Sequence, residues 1–232
     1  MQVEVLADPD AVAMRAAELI AVAARKAISQ RGVFNFAVSG GRTPEATFRV
    51  LAHRDDIEWA NVRLFQVDER VAPDGDPARN KSMIMRSLLT AEFTEAHSLR
   101  EVVWMPVEEG DLMQAGASYA SAMDGACGSP TVFDLIVLGL GSDGHTASLI
   151  PGDPVLEVSN VDVAVTGLYQ GNQRMTLTWP VLDRAKSLLW LVTGESKQVA
   201  LQQWFDNDPS IPGTLPTQAR ATLLADQAAI VE

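Results

Sequence analysis

A histidine, a carboxylate and three glycines share one short stretch of this chain, Gly139-Leu140-Gly141-Ser142-Asp143-Gly144-His145-Thr146-Ala147-Ser148-Leu149, directly after an apolar run at 133–138. An imidazole titrates near neutrality, and a carboxylate two residues away can orient its ring, which is the equipment of a general base. The same residues can equally be structural, with Asp143 capping a short helix and His145 bonding a backbone carbonyl. Local sequence leaves both readings open. The glycines also satisfy G-x-G-x-x-G, but Pro151-Gly152 limits any helix after Gly144 to about one turn. A dinucleotide fingerprint is therefore not expected.

Three other loops offer chemistry. Ser39-Gly40-Gly41-Arg42-Thr43-Pro44 lies between a strand predicted over 33–38 and a helix running to about residue 53. Ser39 or Thr43 could cap that helix and Pro44 suits its first position. Glycines, hydroxyls and a helix N-terminus together form an anion cradle, although the Gly-Lys-Ser/Thr ending of a Walker motif is absent. Asp68-Glu69-Arg70 ends a strand predicted over 62–67, and Asn80 opens a helix beyond a Pro/Gly-rich loop. Asp68 and Arg70 read as functional, with Glu69 undecided. Thr193-Gly194-Glu195-Ser196-Lys197 follows a long strand at 188–193. His53 reads as a surface residue, nothing nominates His97, and Cys127 has no basic neighbour to activate it.

These loops need a frame that brings them together. Strands are expected at 2–6, 33–38, 62–67, 102–105, 133–138, 161–165, 174–179 and 188–193. Helices alternate with them, among them one from Asp8-Pro9 to about residue 30, in which Val12, Leu19, Val22, Ala23 and Ile28 recur at roughly helical spacing, and an Ala-rich one over about 109–126. The stretch at 206–217 reads as a turn-rich tail. Such alternation predicts an α/β fold: a three-layer α/β/α, Rossmann-like domain spanning 1–232 with a mainly parallel sheet. Ligands bind outside the carboxyl ends of such strands, where all four loops emerge. Arg42, Arg70, Lys81, Arg174 and Lys197 lie in or near these loops of a protein whose net charge is −12. That contrast points to a small anionic substrate and away from nucleic acid or an anionic membrane surface. No apolar stretch reaches 18 residues and no signal peptide is evident, so a cytoplasmic protein is expected. The single cysteine excludes an internal disulfide and a thiolate metal cluster.

Taken in order, the Ser39–Pro44 segment, Asp68-Glu69-Arg70 with Asn80, the Gly139–Leu149 segment and Thr193-Gly194-Glu195-Ser196-Lys197 resemble 6-phosphogluconolactonases over nearly the whole chain. Asp-Gly-His-Thr-Ala-Ser-Leu is the most specific part. That family is similar in fold to glucosamine-6-phosphate deaminases and, more distantly, ribose-5-phosphate isomerases, the NagB/RpiA/CoA transferase-like fold. The resemblance implies hydrolysis of 6-phospho-D-glucono-1,5-lactone to 6-phospho-D-gluconate, the second step of the oxidative pentose phosphate pathway. It implies no cofactor and no required metal, a phosphosugar lactone as partner, and a monomer or weak homodimer.

By the same resemblance, His145 would be the general base and Asp143 would hold the loop or orient the imidazole. Arg70 would either stabilise the oxyanion or grip the phosphate. Ser39, Gly40, Gly41, Arg42, Thr43, Arg174 and Lys197 would take the phosphate or sugar hydroxyls, and Asp68, Asn80, Gly141 and Gly144 complete the substrate-binding set. Two departures stand out: Arg79-Asn80 replaces the family's common Ser-Asn, which puts a polar contact in doubt, and Leu-Ile-Pro-Gly replaces Leu-Phe-Pro-Gly. The deaminases place a glutamate soon after the histidine, whereas residues 146–150 here hold no carboxylate. A deaminase or isomerase therefore ranks below a lactonase. A non-catalytic sugar-phosphate sensor is the alternative of another class.

Overall fold

In the computed structural model, which describes residues 1–230, the chain order of strands is β1 (Gln2–Leu6), β2 (Phe34–Val38), β3 (Val62–Gln66), β4 (Asp68–Arg70), β5 (Glu101–Val103), β6 (Leu135–Gly139), β7 (Val163–Val165), β8 (Arg174–Leu177), β9 (Leu188–Val192) and β10 (Ala221–Asp226). Seven of them form a parallel sheet in the order β1-β10-β9-β6-β2-β3-β5, and β4-β8-β7 form a separate antiparallel sheet. The central strands are continuous apolar runs because both faces of the parallel sheet are covered. Pleating sends alternate residues to opposite sides. Phe34, Phe36, Val38, Leu135, Val137, Leu189 and Leu191 meet α1 (Pro9–Arg31), α2 (Arg42–Leu51), α3 (Asn80–Ser87) and α4 (Ala91–Ala96). Ala37, Phe65, Ile136, Leu138, Trp190 and Val192 face α5 (Leu112–Cys127), α6 (Trp179–Arg184), α7 (Gln198–Phe205) and the small sheet. The three-layer, mainly parallel α/β/α arrangement expected from the sequence is thus present.

Three local expectations need correction. The sequence reading ended the sheet at residue 193, yet β10 lies between β1 and β9 and pairs with both. Its sequence, Ala-Thr-Leu-Leu-Ala-Asp, is poor in β-branched residues and takes its strand form from burial rather than propensity. The inner face of α1 is an alanine stripe (Ala13, Ala16, Ala17, Ala21, Ala24 and Ala27) together with Val12, Ile20 and Ile28, while Val22 is exposed. Small side chains there let the helix lie close to the sheet. The stretch at 206–217 is not a tail, because Ile211 and Pro212 are buried and the Gly213 N–H donates to the Gly144 carbonyl at 2.9 Å.

Two features of topology position the site. The run β2, β3, β5 steps outward one way and β6, β9, β10 the other, so the direction reverses between β2 and β6, where a crevice opens outside the strand ends. Val67 is the joint between the two sheets. Its N–H donates to the Val38 carbonyl at 2.9 Å, while its own carbonyl accepts from Leu177 N at 2.8 Å. The chain leaves the large sheet there and enters the small one.

Candidate active site

A cavity of about 700 Å³ opens at this reversal point, lined by residues that follow β2, β3, β6 and β9. Of the fourteen residues nominated from the sequence, all but Asp143 and Gly144 line it. Asp143 contacts the lining His145, and Gly144 bonds the lining Gly141 in the same loop.

His145 is held by its own loop. Gly141 N–H donates to the His145 carbonyl at 2.7 Å and Gly144 N–H to the Gly141 carbonyl at 3.0 Å, which folds the loop tightly on itself. The Asp143 carboxylate lies 2.6 Å from His145 Nδ1 through Oδ1 and accepts the Tyr169 hydroxyl on Oδ2 at 2.8 Å. With Nδ1 as the donor to Asp143, Nε2 is the lone-pair nitrogen. Burial raises the Asp143 carboxyl, but its bonds to Tyr169 and His145 outweigh that and leave it below its ordinary value. The carboxylate is therefore ionised beside the ring at neutral pH.

The anion cradle differs from the sequence expectation in detail. Gly41, at φ 123°, occupies the N-cap of α2, no side chain caps the helix, and Pro44 is the third helical residue rather than the first. The Thr43 hydroxyl instead pairs with that of Thr193 at 2.6 Å, tying the start of α2 to the end of β9. The first N–H groups of α2 are left without a capping side chain, and the buried Ser39 Oγ has no partner. Those N–H groups stand at the cavity wall, where they suit an anion.

Asp68-Glu69-Arg70 is a strand rather than a loop. As β4 it pairs with β8 so that Arg70 lies opposite Arg174, which brings two guanidinium groups together from distant parts of the chain. Arg174 is 4% exposed, its Nε has no hydrogen-bond partner, and burial and Arg70 hold it below its ordinary value. Asp68 is engaged on both oxygens, by Ser148 Oγ at 2.7 Å and Asn80 Nδ2 at 3.2 Å. Asn80 also donates to the Asp68 carbonyl at 2.8 Å and accepts from Arg70. Arg79 is buried and faces Glu69 and Glu108. Glu69 is wholly buried and accepts the N–H groups of Asn80 and Lys81, which makes it a support for α3.

Among the described residues, Arg42, Arg70, Arg174 and Lys197 line the cavity without an ion pair, whereas Lys81 pairs with Asp74 at 2.7 Å and stands outside the cavity lining. Lys197 is half-buried, which lowers its amine below the ordinary value; Asp143 opposes that shift and Arg42 adds to it. Asp226, at the end of β10, accepts Gly194 N–H at 2.9 Å and so fixes the turn before Lys197. Cys127 is pushed up to about 12 by burial and takes no part. His53 is exposed and bonds the Arg49 carbonyl, and His97 packs against Trp59 and Phe93. Sequence reasoning missed Tyr169 and Gln170. Nothing in their spacing marks them, since each reaches the site only through the packing of distant strands.

The fold and the site define an α/β protein whose cavity sets four cations without an ion pair beside a histidine held by a carboxylate. A family model described as glucosamine-6-phosphate isomerases/6-phosphogluconolactonase matches residues 7–224, and the chain belongs to that family. A 6-phosphogluconolactonase of Synechocystis is 34% identical, with 99% of this chain and 93% of that protein aligned. One of Mycobacterium tuberculosis is 32% identical over 86% and 83%. Among solved structures, a 6-phosphogluconolactonase from Shewanella baltica superposes with a TM-score of 0.85 at 23% identity, covering 97% of each chain. A monomeric glucosamine-6-phosphate deaminase superposes at 0.81 with 18% identity over 99% of this chain and 98% of that one, so the fold alone does not separate the two activities.

Proposed function

We propose that His145 and Asp143 are the catalytic pair with which this enzyme hydrolyses 6-phospho-D-glucono-1,5-lactone to 6-phospho-D-gluconate, a step of the pentose phosphate pathway. The observation that carries the assignment is the 2.6 Å contact between Asp143 and His145 Nδ1 at the wall of a cavity with four unpaired cations. His145 Nε2 takes a proton from water as its oxygen adds to the lactone carbonyl carbon. The bond from that carbon to the ring oxygen then breaks, and the proton returns to the leaving oxygen. A lactone is an activated ester, so one placed base and a few donors to the oxyanion suffice.

Arg70 and Arg174 face the cavity together, and Lys197 with Arg42 and the start of α2 form a second positive region. We assign the phosphate and the developing oxyanion to these two regions, with Ser39, Gly40, Gly41 and Thr43 contributing backbone and hydroxyl donors. Asp68 holds Asn80, which accepts from Arg70 and keeps it in place, and Gly141 and Gly144 permit the loop geometry. The deaminase reading lacks its carboxylate: Asp153, the first acidic residue after His145, is spent on Val155 N and Gly167 N at 2.8 and 2.9 Å. We place the enzyme in the cytoplasm as one domain acting as a monomer or weak homodimer. Among the described residues no helix is long and apolar enough to cross a membrane.

The test is lactone hydrolysis at slightly acidic pH, where the spontaneous reaction is slow, with the lactone generated in place by glucose-6-phosphate dehydrogenase. Acceleration by the wild type that His145→Ala abolishes is expected. Deamination of glucosamine 6-phosphate without lactone hydrolysis would move the assignment to the other activity, and binding without either would make the protein a sensor.

A further inference from the structure

The loop joining β7 to β8 is a tight hairpin. Tyr169 and Asn172 exchange backbone hydrogen bonds at 3.0 and 3.2 Å, and the two residues between them, Gln170 and Gly171, both have positive φ, at 51° and 87°. Positive φ at both central positions is the primed turn that suits twisted strands, and for a glutamine it is a strained state that surrounding structure must hold. What holds it is the site. Gln170 Oε1 accepts from Arg174 at 3.3 Å, and the Tyr169 ring sits 4.8 Å from the Arg174 guanidinium carbon. The same ring meets the His145 imidazole edge to face at 5.6 Å, and its hydroxyl donates to Asp143 at 2.8 Å.

The geometry points to Tyr169 as a positioning residue with two separable roles: its hydroxyl fixes and tempers the Asp143 carboxylate that orients His145, and its ring supports the unpaired Arg174. The inference rests on the reading of His145 as the base. The hydroxyl bond completes a chain from Tyr169 through Asp143 to His145, which locks the imidazole as a support beyond the reacting group does in other sites. It also withdraws part of the carboxylate's charge. With the hydroxyl removed, the carboxylate holds a protonated imidazole more strongly, so the inactive protonated pair persists to higher pH.

The groups in contact with His145 are Asp143 on its own loop and Tyr169 on the β7–β8 hairpin. The charged groups that line the same cavity are Arg174 on β8, Lys197 before α7, Arg42 at the start of α2, and Asp68 and Arg70 on β4. Replacing Tyr169 by phenylalanine alters none of these charges, so the change isolates the hydroxyl.

The experiment compares wild type, Tyr169→Phe, Tyr169→Leu and Leu168→Ala in lactone hydrolysis between about pH 5 and pH 8. It also follows the His145 ring resonances by NMR, identified by their loss in His145→Ala. Tyr169→Phe should lower kcat about tenfold with KM little changed, and shift both the acid limb of kcat/KM and the His145 titration midpoint upward by about half a unit. Tyr169→Leu should add a severalfold rise in KM through Arg174. Leu168, 78% exposed on the same hairpin, should tolerate alanine. An unmoved titration midpoint in Tyr169→Phe would overturn the inference, as would equal losses in Leu168→Ala. Absence of hydrolysis by the wild type would strike the lactonase reading instead, and the ring titration would still decide whether Tyr169 acts through Asp143.

Discussion

His145 occupies the space in which a side chain on Gly141 would lie. A Cβ at Gly141 would come within 3.0 Å of both His145 Nδ1 and Asp143 Oδ1. The glycine is therefore required by the pair itself and not by a dinucleotide, and its φ is not in the left-handed region. Gly141→Ala should separate the imidazole from its carboxylate and cost about 10²-fold or more in kcat, close to the effect of His145→Ala. Far-UV circular dichroism should be unchanged, because the loop is outside the regular elements. Near-wild-type turnover in Gly141→Ala would show that the Asp143–His145 contact is dispensable.

Glu69 illustrates a carboxylate in the motif that does no chemistry. It is fully buried, with Oε1 accepting Arg70 N and Asn80 N at 2.8 and 2.7 Å and Oε2 accepting Lys81 N and Gln66 Nε2 at 2.8 and 2.7 Å. Arg79, also buried, lies 3.4 Å away. Removing a buried charged partner leaves the other charge and several N–H groups uncompensated. Glu69→Ala should lose about 3–5 kcal/mol in urea unfolding. A loss under about 1 kcal/mol would mean that water replaces the carboxylate.

The loops were legible in the sequence because each combines glycine, hydroxyl and charge at a strand end, and the parallel sheet was legible because buried strands are long apolar runs. What escaped was set by contacts between distant segments. The pairing of Arg70 with Arg174 depends on Val67 passing the chain from one sheet to the other, which no local pattern encodes. The strand β10 is Ala- and Leu-rich, and its Asp226 anchors the Gly194 turn that carries Lys197, so part of the site rests on an element that propensity does not mark. Tyr169 reaches Asp143 across 26 residues of sequence.

The lowered amine of Lys197 has a measurable sign. Burial favours the neutral form, so the charge is complete below the lowered value and is lost as pH rises through it, earlier than for an exposed lysine near about 10.4. A phosphate is doubly ionised above about pH 7 and does not itself change over that range. Calorimetric affinity for 6-phosphogluconate should therefore decline between about pH 7 and pH 10 in the wild type. In Lys197→Met it should be weak throughout and flat. A wild-type decline that persists unchanged in Lys197→Met would assign the titration to another group.

Arg174 is a charge that Asp68 and Asp143 compensate only in part against its burial and Arg70. The residue is 4% exposed, and its guanidinium lacks an ion pair, bonds only Gln170 among the described residues and lies beside Arg70. Burying an unpaired charge costs several kcal/mol even after relaxation, and the Tyr169 ring returns only part of that. Methionine matches the apolar stem and removes the charge. Arg174→Met should therefore raise the stability of the free protein by about 1–3 kcal/mol in urea unfolding. The same change should raise KM for the phosphorylated lactone by about 10–100-fold, the worth of a charged hydrogen bond to the ligand. Inorganic phosphate should stabilise the wild type more than the variant, since a ligand bound only to the folded state adds to its stability. A variant less stable than wild type, or one with unchanged KM, would show that Arg174 serves the small sheet rather than the substrate.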